Sequence, residues 1–161
     1  MARLLVVSAL AGCASAATPP VGRPERSAGP LLEPAAAREH AAQDIRAWRF
    51  SIAKDELDRV LAVTPNDPVA HLYYGELYRL EAQHAERPEE RAPLLEQARQ
   101  AYERAAALDS AYADPFRQLG LLYFQSRDTE KAKEAFRKYL ALKPDAPDAQ
   151  RVMEYLDALD R

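Results

Sequence analysis

Apolar residues recur at spacings of three and four through most of this chain, which is the period of helices with one buried face. The clearest stretch runs from Pro115 to Pro144. Phe116, Leu119, Gly120 and Tyr123 fall on one face of a first helix, and Ala132, Phe136 and Tyr139 on one face of a second. Gly120 and Ala132 carry almost no side chain, so the two backbones can approach while the aromatic rings fill the flanks. Pro144 lacks an amide hydrogen and disfavours helix just before it, so the second helix stops there. The same pattern stands upstream as His71, Tyr74, Gly75 and Tyr78, then Ala98, Tyr102 and Ala105. A weaker version precedes it: Ala53, Leu57 and Pro65 match a second helix, while Ala37, Ala41 and Asp44 fill the first poorly. Beyond the third pair, Asp145-Ala146-Pro147-Asp148 is a capped start, and Val152, Leu156 and Leu159 make one more apolar stripe. The pattern predicts an all-α protein.

The order aromatic-x-x-Leu-Gly-x-x-Tyr, then Ala-x-x-x-Phe and a closing proline, resembles the tetratricopeptide repeat. That resemblance covers the chain from about residue 34 to its end. It implies an α-solenoid of three helix pairs, at residues 34–66, 67–112 and 113–146, closed by a capping helix at 147–160. One such unit cannot bury its own apolar face, so stacked neighbours are required. It also implies a protein that binds proteins or peptides and does not catalyse.

The second unit is irregular. From Tyr78 to Tyr102 is 24 positions, against 13 from Tyr123 to Phe136, so 11 residues are inserted. They fall in the charged stretch at 83–94, which predicts a first helix running past Leu80, a break near Pro88 and a return at Pro93. A solvated lengthening of the helix pair is the plain reading, and a contact loop the functional one.

The first 13 residues read as a signal. Arg3 is followed by a short apolar run ending in Leu10-Ala11-Gly12-Cys13, which resembles the lipobox of bacterial lipoproteins. The resemblance implies cleavage after residue 12 and lipidation of Cys13, the chain's one cysteine. Ala14-Ser15-Ala16 would alternatively serve ordinary secretion. Ala14 is not the aspartate that retains lipoproteins in the inner membrane, which points to the outer membrane, facing the periplasm. Residues 13–34 are small, polar and proline-rich, and read as an extended tether.

Composition narrows the chemistry. The net charge of -3 argues against a nucleic-acid partner, and one cysteine excludes an internal disulfide. No phosphate loop, H-E-x-x-H metal motif or nucleophile elbow occurs, and His40, His71 and His84 are scattered. No metal, cofactor or catalytic role is expected. Trp48 is expected to pack in the core or against a cap.

In the repeat family, positions 2, 5, 9, 12 and 13 of each first helix line the concave groove. Carried over, these are Ala35, Arg38, Ala42, Ile45 and Arg46; Val69, Leu72, Glu76, Arg79 and Leu80; and Asp114, Arg117, Leu121, Phe124 and Gln125. The candidate binding residues among them are Arg38, Ile45, Arg46, Leu72, Glu76, Arg79, Arg117, Leu121, Phe124 and Gln125. Four arginines set between apolar residues would suit an acidic, hydrophobic peptide. The dicarboxylate clamp of chaperone-binding repeats uses groove asparagines, and Asn66, the one asparagine, lies in a turn. Two readings follow: a membrane-tethered scaffold or assembly factor holding a protein partner, or a periplasmic receptor whose closed pocket is built from Trp48, Phe124 and the arginines.

Overall fold

The computed structural model describes residues 33–161. The signal, Cys13 and the tether lie outside the described residues. Seven helices follow one another: α1 Pro34–Arg46, α2 Phe50–Val63, α3 Pro68–His84, α4 Pro88–Leu108, α5 Ala113–Gln125, α6 Thr129–Leu142 and α7 Ala149–Leu159. Each packs on the next, and α1 also touches α3, as in a solenoid of helix pairs. No strand occurs among the described residues.

Each pair closes over one small residue. In the second, Tyr102 is fully buried and its ring lies against the backbone of Gly75; in the third, Phe136 does the same at Gly120. Both glycines stand seven residues after the start of their helix. Ala41 holds that place in α1, and Leu57 stands where Phe136 stands in α6, both 0% exposed. Alanine adds a methyl and leucine carries about half a ring less than phenylalanine, so the added methyl has room. Asp44 takes the slot of Tyr78 and Tyr123; it is buried and accepts from Arg49 Nε at 2.8 Å. The first unit, weak as a sequence pattern, is therefore a full pair of 13 and 14 residues, the lengths of α5 and α6.

The insertion differs from its expected form. The break falls at residues 85–87, α4 already begins at Pro88, and Pro93 lies within it. Proline is preorganised for the first helical position, whose amide would have no partner there anyway. Glu89 and Glu90 in the first turn face the positive helix end, and Arg91 Nε donates to the Ala82 carbonyl of α3 at 3.2 Å. These contacts oppose the disruption of a proline at the sixth position. All 11 additional residues are helical: α3 is 4 longer than α5, and α4 is 7 longer than α6.

Asp67 caps α3, accepting from the amides of Val69 and Ala70 at 3.0 and 3.1 Å. Asp148 precedes α7 but makes no side-chain cap. Its carboxylate is taken instead by the Tyr139 hydroxyl at 2.5 Å and by Arg117 Nε. Val152 is buried on the third pair, and Tyr155 stacks on Phe136 with centroids 5.5 Å apart. Trp48 departs from its expected role: it is 51% exposed, at φ 60° in the α1–α2 turn, and its ring meets His84 edge-on at 3.9 Å.

Candidate functional site

The first helices of the pairs and the α6–α7 linker line an open cavity of about 890 Å³. Arg46 comes from α1, Leu72, Tyr73 and Glu76 from α3, and Asp114, Arg117 and Gln118 from α5. Tyr112, Tyr139 and residues 143–148 complete the wall. Helical spacing explains α3's share: residues 72, 73 and 76 stand three and four apart on one face.

Of the ten sequence-derived candidates, this cavity brings together Arg46, Leu72, Glu76 and Arg117. Arg38 lies apart, bonded to the cap carboxylate Asp67. Arg79 is not a wall residue: its Nε is closed off from solvent and has no hydrogen-bond partner. Ile45 is 1% exposed inside the core formed by α1, α2 and α3, so it is no groove residue. Leu121 and Phe124 pack into the third core with α7 residues, Phe124 lying 5.0 Å from the Tyr155 ring. The capping helix thus covers what would otherwise be open apolar positions. Gln125 is exposed at the end of α5. Neither Trp48 nor Phe124 lines this cavity.

Structure also adds residues that the carried-over groove positions do not include. Tyr73 and Tyr112 reach the cavity, as do Tyr139 and the linker carboxylates Asp145 and Asp148. Tyr73 immediately follows a groove position, and the linker belongs to no first helix, so register alone pointed to neither.

The electrostatics are not those of a basic groove. Three cations, Arg46, Arg117 and Lys143, face four carboxylates, Glu76, Asp114, Asp145 and Asp148. Arg117 is bonded to Asp148, and Lys143 Nζ lies 2.7 Å from Asp114. Glu76 has little compensation: Gln118 Nε2 donates to it at 3.5 Å, a long contact. Burial pushes its carboxyl above the usual range, and the charges of Arg79 and Arg46 only partly oppose this. Burial likewise raises the Tyr73 and Tyr112 phenols, with Glu76 nearby adding to the effect on both. The Tyr139 phenol is pushed up to about 12 by burial and by its bond to Asp148.

Residues 82–157 match the family model of the tetratricopeptide repeat. This is a tetratricopeptide-repeat domain. Its fold is similar to that of a thermophilic TPR protein from Thermus thermophilus, at 25% identity and a TM-score of 0.68 over 80% of this chain. The chain spans 64% of that protein's length. It is also similar in fold to the Sgt2 TPR domain from Aspergillus fumigatus, at 24% identity and TM-score 0.64, covering 84% of this chain and 82% of that one. The first TPR of Spaghetti (RPAP3), solved with the HSP90 peptide SRMEEVD, aligns at 19% identity and TM-score 0.63, covering 80% of this chain and 94% of that one. No curated protein matches the chain. Binding other proteins is what this fold supports in general.

Proposed function

We propose that this protein is a membrane-tethered scaffold of the bacterial envelope, held by lipid on Cys13, whose repeats bind a segment of a partner protein in the α1–α3–α5 cavity. One observation supports the binding reading above others: a cavity of about 890 Å³ with exposed, unpaired charges at its rim. Arg46 and Asp145 are exposed and make no ion pair among the described residues. Polar rims around a partly apolar floor are how interaction sites combine register with affinity. The lipobox pattern at 10–13 supports the tether, because several acyl chains hold a protein where one alone gives marginal binding.

Cross-linking and pull-down from envelopes tests the first part. Wild type should capture a partner that Arg46→Glu, Asp145→Lys loses while keeping its helical circular dichroism. An identical partner set for both would remove the cavity from the interaction. Fatty-acid labelling tests the anchor: wild type should be labelled and Cys13→Ser should not, and equal labelling would end the lipoprotein reading.

The cavity's size favours a second reading, a receptor for a peptide or small ligand, since such sites span roughly 300–1,000 Å³. Native mass spectra of the purified protein should then show a bound small molecule, which a scaffold would lack.

A further inference from the structure

Resting on the reading that this cavity receives a partner segment, we infer that the segment is basic, a Lys or Arg side chain seated against Glu76 between the rings of Tyr73 and Tyr112.

Glu76 is the reason. Its side chain is half-buried on the wall, and its hydrogen bond from Gln118 is long at 3.5 Å. A buried charge in that condition is costly unless a partner compensates it. The cations around it do so only in part: the charges of Arg79, Arg46 and Arg117 all act on Glu76, yet burial still prevails. Arg117 is committed to Asp148, Lys143 to Asp114, and Arg46 forms no ion pair. On the wall itself, with those two pairs set aside, two carboxylates, Glu76 and Asp145, face one cation, Arg46, and Arg79, which is not a wall residue, offsets Glu76 only in part. The imbalance calls for a positive group.

The aromatic wall points the same way. Tyr73 and Tyr112 line the cavity together with Glu76. A carboxylate with aromatic rings nearby suits an ammonium or guanidinium, which gains from the ring faces as well as from the anion. Leu72 and the prolines at 144 and 147 supply an apolar shelf for the aliphatic stem of such a side chain.

Two donors argue for an acidic ligand on first sight, because Arg79 Nε and Tyr102 Oη have no acceptor. Both atoms are closed off from solvent and neither residue lines the cavity, whereas Glu76 does. The arginine-lined, acid-seeking groove expected from the repeat register is thereby replaced by a cation-seeking one.

The test pans a random dodecapeptide display library on the full chain and on Glu76→Gln, a near-isosteric change that also removes a carboxylate poorly suited to burial. The expected result for wild type is Lys or Arg enriched about tenfold at one fixed position, the scale of one good charge pair. Glu76→Gln should lose that enrichment while its thermal midpoint is kept or raised. Tyr112→Leu, read in parallel, should weaken it and shift the balance away from Arg. Enrichment of Glu or Asp would overturn the inference while leaving the cavity as a peptide site. Enrichment of Lys or Arg that survives in Glu76→Gln would overturn the role of Glu76. No enrichment at all would remove both the inference and the cavity, and the envelope pull-down would then decide whether the repeats bind a partner elsewhere.

Discussion

Tyr102 occupies the space that a side chain at Gly75 would need. A methyl group built there lies inside the ring, 2.8 Å from Cζ and nearer still to Cε1 and Cδ1. Phe136 stands in the same relation to Gly120, with Cγ 2.9 Å away. Helix propensity favours alanine over glycine by about 1 kcal/mol. Overpacking against a fixed ring costs about 1–3 kcal/mol or more. Packing wins, so Gly75→Ala and Gly120→Ala should each lower stability by roughly 1–2 kcal/mol in urea unfolding. Pairing Gly120→Ala with Phe136→Leu should recover part of the loss, because α1 and α2 already use Ala41 with Leu57. Additive losses in the double variant would refute this account of the first unit.

Trp48 and Arg127 share a backbone state, φ 60° and 62°, each in the middle of a three-residue turn between paired helices. For an L-residue this left-handed state costs about 1–2 kcal/mol, which glycine avoids at the expense of a looser unfolded chain. Arg127→Gly should therefore stabilise by roughly 0.5–1 kcal/mol. Trp48→Gly gains the same relief but loses the edge-on contact with His84, worth about 0.5–1.5 kcal/mol, and should come out near neutral. Thermal melts of the two variants separate conformation from contact.

Asp67 serves three donors at once: two amides of α3 and the Arg38 guanidinium of α1. Losing a cap costs about 1 kcal/mol, and leaving a partly buried Arg38 unpaired adds about as much. Asp67→Ala should thus cost roughly 2 kcal/mol and Asp67→Asn, which still caps, about half of that. Denaturant midpoints compare them, and equal losses would show that only the charge matters.

Asp148 gives a pH signature. Burial pushes its carboxyl up, but the bonds from Tyr139 and Arg117 outweigh that and hold it below the usual 3.8. A carboxyl lower in the folded than in the unfolded state binds fewer protons when folded, so its stabilisation is present above the unfolded value. It is lost as pH falls through the lower, folded value. Wild type should exceed Asp148→Asn by about 1–2 kcal/mol at neutral pH, with the gap closing below pH 3.8. A gap unchanged down to strong acid would mean that this carboxylate does not carry the linker.

The fold was legible because its signals are steric. A glycine or alanine facing a ring, repeated at a fixed spacing, leaves few other ways to pack, and Gly75, Gly120, Tyr102 and Phe136 all sit in that register. The site was legible only by position. Arg46, Leu72, Glu76 and Arg117 are on the cavity wall as the repeat register places them. Charge pairing could not be read that way: Arg38 and Arg117 bond to Asp67 and Asp148, residues 29 and 31 positions later in the chain. Nor could the register show that α7 would cover Leu121 and Phe124, since that depends on where the linker lets the last helix land. Pro93 misled for a related reason, because a proline's effect depends on how early in its helix it falls, and that start was set by Pro88.

The lengthened middle pair leaves the array with a spur. At 1.5 Å per residue, α3 and α4 carry their shared turn roughly 6–10 Å past the turns on either side. A flat surface brought against that edge would rest first on the spur tip, where Glu86, Arg87 and Glu89 are exposed. A partner long enough to follow the edge must bend around the spur or stop at it.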